Sequence, residues 1–273
     1  MPFTPAHAVV AIPFARTPLV PAAIAVGAMT PDAPLFFRVG IDYWFTHSPL
    51  GLVLVDLPLA LGFLLVWRVV LRPALPQLSP RWVAERLPVS WSAATWPWPL
   101  SGWWDTWGGR RARLRPRLIA TVTLVASLMI GIATHLVWDA FTHEGRWGSA
   151  LVPGLSQSWG ALAATDWLQI GSSCFGLLVI GWWAIASVRH ATPSPLGWRV
   201  RPAVRWTAWL ALPIFVAIAA PVVGLARGWP SDVGAVVFVE RSALAGASAY
   251  LVFLGILSLG ICVVIARHAR DAR

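Results

Sequence analysis

Two imidazoles and a carboxylate recur at every fourth position in Thr134-His135-Leu136-Val137-Trp138-Asp139-Ala140-Phe141-Thr142-His143. On a helix, His135, Asp139 and His143 share one face, because residues four apart stack above one another. They end an otherwise apolar run, where burying a polar group costs free energy unless it finds a partner such as a metal ion. Neutral imidazole and carboxylate are the usual ligands of zinc and related divalent metals, and this spacing lets adjacent turns grip one ion.

Three more polar islands carry the same chemistry: His7, Asp32 within Thr30-Pro31-Asp32, and His47 within Thr46-His47-Ser48. His7, Asp32, His47, His135, Asp139 and His143 together exceed the four ligands of one tetrahedral zinc site. Two ions bridged by Asp32 or Asp139 would use them all, and paired ions suit phosphate-ester hydrolysis by clamping attacking and leaving oxygens. Zinc is the expected metal, with manganese as the alternative. Asp32 and Asp139 are the candidate catalytic carboxylates, either one taking a proton from the attacking water. His190 and His268 each stand beside Arg and read as interfacial residues.

The elements that must position these groups are membrane helices. The chain is 58% hydrophobic and 12% charged, with a mean hydropathy of +0.68, whereas soluble domains carry about 25% charged residues. Charge-free windows at Trp167–Val188, Trp206–Ala226 and Ser242–Ala266 are each long enough to cross about 30 Å of hydrocarbon. A fourth span runs from Leu118 to about Trp138, and a fifth from Ser48 to Trp67, interrupted by Asp56, a candidate helix–helix contact or support for the site. Residues 1–47 lack the basic start of a signal peptide. Their two short apolar pieces, about 8–15 and 17–31, form either a hairpin in the outer leaflet or a single crossing by the second piece. The expected fold is an all-α integral membrane bundle of about five spans plus short or re-entrant N-terminal helices, one membrane domain over residues 1–273. The stretch 72–116, rich in Trp, Arg and Pro, reads as an interfacial cytoplasmic loop.

The net charge of +10 is carried wholly by Arg, since no Lys occurs. Its distribution argues against nucleic acid as a partner. Arg residues cluster between Trp67 and Leu118, between Val188 and Trp206 (Arg189, Arg199, Arg201, Arg205), and after the last span (Arg267, Arg270, Arg273). By the positive-inside rule these segments, with the C-terminus, are cytoplasmic; they also attract anionic lipid headgroups. Asp32, His47, Asp139 and His143 then share the outer surface, with His135 one turn deeper, about 6 Å by helical rise. His7 joins them only if the N-terminal segments do not cross. Arg38 and Arg146 are the outward cations best suited to a phosphate. Gln169, Ser172 and Ser173, near the outward end of their span, either bind a headgroup or orient a ligand, or bond helix to helix. Cys174 and Cys262 fall inside spans, as small apolar residues.

The islands Pro2-Phe3-Thr4-x-x-His7, Gly27-x-Met29-x-Pro31-Asp32, Thr46-His47-Ser48 and Thr134-His135-x-x-Trp138-Asp139-x-Phe141-Thr142-His143 resemble those of the bacterial domain-of-unknown-function 4184 family. That family is similar in motif order to a larger group of membrane-bound metal-dependent hydrolases, and through them to zinc-dependent phospholipase C. The resemblance implies a multi-span helical protein with His7, Asp32, His47, His135, Asp139 and His143 as ligands. The expected function is hydrolysis of a phosphoester, most plausibly of a lipid, at the outer membrane surface. The alternative is a non-enzymatic membrane protein using the same residues for a structural metal or for ion or proton transfer. A third expectation is a scaffold that recruits partners through the Trp- and Arg-rich loop. The pattern leaves the oligomeric state open.

Overall fold

The computed structural model describes residues 3–37, 40–92, 114–197 and 200–271. It is helical apart from two paired two-residue strands, Ser158–Trp159 and Leu162–Ala163, joined through Gly160 at φ +73°. Among the described residues, five helices are long and apolar enough to cross a membrane: Pro49–Leu78, Leu118–Thr142, Ala164–His190, Pro202–Arg227 and Val237–His268, the first to fifth spans. The chain is therefore built as a multi-pass membrane protein. The first span differs from its charge pattern. It continues past Trp67, through a π-helical turn at Trp67–Leu71, and ends at Leu78. Arg68 and Arg72 do not stop it, because long Arg stems can lie along apolar surface. Residues 93–113, the middle of the Trp- and Arg-rich stretch, lie outside the described residues.

The described residues group into two compact units. The first holds residues 3–34, 40–64 and 114–187. It opens with a 3₁₀ helix, Thr4–Arg16, followed by an α-helix, Pro21–Met29, whose first residue is the proline that suits that position. The two form a hairpin. The Val20 N–H at its turn donates to Ser127 Oγ at 2.9 Å, and Ser127 lies about 12 Å below His135 by helical rise. At the other end, Thr4 Oγ1 donates to Asp32 Oδ2 at 2.6 Å. The hairpin thus dips along the second span and returns, so neither piece crosses alone. Its irregular turn is acceptable at that depth because a protein hydroxyl meets the freed amide.

Small residues let this hairpin approach the second span closely. A Cβ on Gly27 would collide with the Leu128 carbonyl, and one on Gly131 with the Ile24 carbonyl. Ile24, Leu128 and Ile132 fill the remaining space and are fully buried. Lipid tails are as apolar as leucine, so this contact rests on close packing and not on the hydrophobic effect. Two caps then fix the connection into the first span. Asp42 accepts from the Phe45 N–H at 2.9 Å and Ser48 from the Gly51 N–H at 3.0 Å, each meeting a helix-end donor. After its first α-helical residues, Pro49–Gly51, the first span passes through a π-helical turn, Leu52–Asp56, that ends on the fully buried Asp56.

The second unit contains residues 35–37, 65–92, 188–197 and 200–271. Ala74 and Leu78 pack with Ala208 and Ile261 in a small buried core. Trp209 Nε1 donates to the Leu78 carbonyl at 2.9 Å. Gly246 lies against the Val216 backbone, which lets the fourth and fifth spans cross closely.

Candidate metal centre

His135, Asp139 and Thr142 lie on the buried side of the last turns of the second span, with exposures of 0%, 1% and 0%. The span ends one residue before His143, and Gly145, at φ +74°, turns the chain away. Asp32 comes from the turn after the re-entrant hairpin, and His47 from the corner between the Asp42-capped and Ser48-capped helices. Asp32, His47, His135 and Asp139 converge so that one ligand atom from each lies within 4.8 Å of the others. His47 Nε2 is 3.8 Å from Asp32 Oδ1 and 3.5 Å from Asp139 Oδ2; His135 Nε2 is 3.6 Å from each of those atoms.

The backbone fixes which imidazole nitrogens carry hydrogen. His135 Nδ1 lies 2.8 Å from the Ala28 carbonyl oxygen and His47 Nδ1 lies 2.9 Å from that of Tyr43. A carbonyl only accepts, so each Nδ1 carries a hydrogen. The two Nε2 atoms face each other at 3.3 Å, and in the neutral form of each ring Nε2 presents a lone pair. Beside them stand two carboxylates with one oxygen from each within 4.8 Å of the other, close enough for their charges to repel. Two imidazoles and two carboxylates, buried together, are a donor set that fits a divalent metal. The donors fit, and the Nδ1–H to carbonyl bonds are the supports that usually orient metal-binding histidines.

His7 and His143 flank this group. His7 Nε2 is 3.7 Å from Asp139 Oδ1, and its ring centroid lies 4.2 Å from that of His135. His143 Nδ1 is 3.1 Å from the Asp139 carbonyl oxygen and 3.6 Å from Asp139 Oδ2. Both Nε2 atoms are buried without a hydrogen-bond partner, as are Asp32 Oδ1 and Asp139 Oδ1. The two oxygens of Asp139 therefore point to different neighbours: Oδ2 to His47, His135 and His143, and Oδ1 to His7. Burial, reinforced by the adjacent His135 ring, lowers the His7 pKa from 6.5 to about 4. Burial also lowers that of His143. These rings are neutral near pH 7, the form that binds metal. Burial pushes the Asp32 carboxyl up, against the pull of the Thr4 hydroxyl.

Several groups around the cluster hold it in place. Thr4 anchors Asp32, and Thr46 Oγ1 donates to the Pro31 carbonyl at 2.9 Å, holding the Asp32 turn against the His47 corner. Tyr43 packs against His47 with ring centroids 4.1 Å apart, and its hydroxyl is buried. Burial and the nearby Asp32 raise the pKa of that hydroxyl. The Arg146 guanidinium lies over the rings of Tyr43 and Trp44, 5.8 and 5.1 Å from their centroids, with Nε unpartnered. Arg38 lies outside the described residues. Gln169 Nε2 donates to the Thr142 carbonyl, Ser172 Oγ accepts from Trp138 Nε1 at 3.3 Å, and Ser173 Oγ accepts from the Phe3 N–H at 2.8 Å. These three residues tie the third span to the second span and to the N-terminus.

Fold and site define a multi-pass helical membrane protein with a buried His/Asp cluster at one end of its second span. Residues 1–261 match the model of the family described as a domain of unknown function, DUF4184, and the chain belongs to that family. No curated protein and no solved structure matches it.

Proposed function

We propose that this protein is a membrane-embedded, metal-dependent hydrolase of a phosphoester, with its site at the outer face of the cytoplasmic membrane. The observation that carries the reading is the convergence of the His47 and His135 Nε2 atoms, 3.3 Å apart, with the carboxylates of Asp32 and Asp139. Asp32, His47, His135 and Asp139 would hold a divalent ion, zinc or manganese, and His7 and His143 would complete a second site through Asp139. Bound metal would supply Lewis acidity toward a phosphoryl oxygen and make nearby water more acidic. Asp139, with Oδ2 toward His47, His135 and His143 and Oδ1 toward His7, would contribute to both sites. Asp32 or Asp139 would accept a proton from attacking water. Arg146, steadied by Tyr43 and Trp44, would bind a phosphoryl oxygen.

The reading is tested with protein reconstituted into phospholipid nanodiscs, following phosphoester cleavage by phosphorus NMR. Metal-dependent release of a phosphorylated or dephosphorylated headgroup, lost in Asp139→Asn, is the expected result. A metal-loaded protein that cleaves neither lipid nor water-soluble phosphoesters would instead favour a structural ion or ion transfer.

A further inference from the structure

A cavity of about 470 Å³ lies beside the metal centre, between the N-terminal 3₁₀ helix and the second and third spans. That volume falls within the roughly 300–1,000 Å³ of small-molecule sites. Val9 and Val10 form one wall, Ala133 and Val137 another, and Phe175 a third. Its hydroxyls are turned inward on their own helices: Thr134 Oγ1 donates to the Gly131 carbonyl at 2.7 Å, and Ser172 Oγ to that of Gln169 at 3.3 Å. Trp138 Nε1 is likewise engaged, by Ser172. The lining then presents hydrocarbon everywhere except at His7. That side chain is 6% exposed, its Nε2 has no hydrogen-bond partner, and it stands 3.7 Å from Asp139 Oδ1 in the cluster.

We propose that this groove holds the hydrocarbon chain of a membrane lipid whose phosphate headgroup reaches the His/Asp cluster. The inference rests on the phosphoester reading for the headgroup, and on the groove alone for the chain. The occupant follows from polarity and depth. Residues 133–137 and 175 belong to the second and third spans, so the groove lies among segments that lipid surrounds. Its one unsatisfied polar group belongs to the metal centre. An amphiphile with a long apolar tail matches both ends at once, whereas a water-soluble phosphoester would leave the apolar wall unfilled. Moving a tail from bilayer to groove changes little hydrophobic free energy, since both are apolar. The groove therefore orients the headgroup and fixes which lipids fit, more than it adds affinity.

The test uses the full chain in nanodiscs containing a phospholipid that carries a photoactivatable diazirine on its acyl chain. After illumination, the labelled peptides are mapped by mass spectrometry. Label is expected on residues 9–10, 133–137 and 175, falling about fivefold or more in Ala133→Trp and, independently, in Val137→Trp, because an indole ring would occupy the groove. Both positions are exposed to the groove and outside the cluster, so bound metal should remain as in wild type, which shows that the variants fold. Equal labelling in wild type and both variants, label confined to other faces of the spans, or chain-to-chain cross-links at the groove would each overturn the inference. Groove labelling without phosphoester cleavage would keep the lipid site and remove the hydrolase reading. Cleavage with an unlabelled groove would do the reverse.

Discussion

His47 and His135 are set for metal by what happens on the far side of each ring. Because the Tyr43 and Ala28 carbonyls hold both Nδ1 hydrogens, the facing Nε2 atoms have no neutral way to satisfy each other. Thr4 does the corresponding work for Asp32, and outer supports of this kind typically account for about 10–100-fold in metal affinity. Thr4→Val keeps the side-chain shape and removes only the hydroxyl. It should weaken metal binding by about that factor in chelator competition, while unchanged affinity would show that Asp32 is not a ligand. His7 gives a pH prediction with a definite sign. Its folded pKa is about 4 against an ordinary 6.5, so below pH 6.5 the unfolded chain takes up the proton first. Stability of the metal-free protein is therefore complete above 6.5 and falls as pH drops toward 4. Thermal unfolding in detergent should show that fall, and His7→Gln should flatten part of it.

The re-entrant hairpin is the element on which the site depends, since it supplies His7, Thr4 and the Ala28 carbonyl and leads into Asp32. Its position is set by the mutual approach of Gly27 and Gly131 to the opposite backbone. Gly131→Ala would push on Ile24 and on the Ala28 amide, shifting the carbonyl that orients His135. That variant should lose both thermal stability and about tenfold or more of its metal affinity. An exposed glycine change in the third span, Gly171→Ala, should lose neither, as nothing lies near its added Cβ. The polar residues of the cluster were legible in the sequence because each stands out against an apolar background at a repeating spacing. The contact of Thr4 with Asp32 and the place of Tyr43 were not, because a lone hydroxyl near a helix start is ordinary and only the returning hairpin brings Thr4 to Asp32. The end of the first span was misread for a related reason. Charge marks where a span meets headgroups, yet a helix can run on past Arg68 and Arg72 to Leu78, because long Arg stems can lie along apolar surface.

At the scale of the whole molecule, span number and class followed from hydropathy alone, because a stretch of twenty apolar residues has few other uses. The side on which the cluster opens is a question of charge. Arg-rich connections follow the first, third and fifth spans and the others carry few, which predicts a cytoplasmic C-terminus and an outward site. In a bacterial host, a C-terminal fluorescent-protein fusion should fluoresce, and a periplasmic alkaline phosphatase fused after residue 145 should be active; the opposite pattern would place the cluster inside. The central claim, that the buried imidazoles and carboxylates hold a divalent ion, is tested most directly by counting metal. Protein purified in mild detergent without chelators is analysed by inductively coupled plasma mass spectrometry, alongside His135→Ala and Asp139→Ala. Near-stoichiometric zinc or manganese in the wild type, lost in both variants with helical content retained, is the predicted result. Metal-free wild-type protein, or metal retained in both variants, would contradict the account.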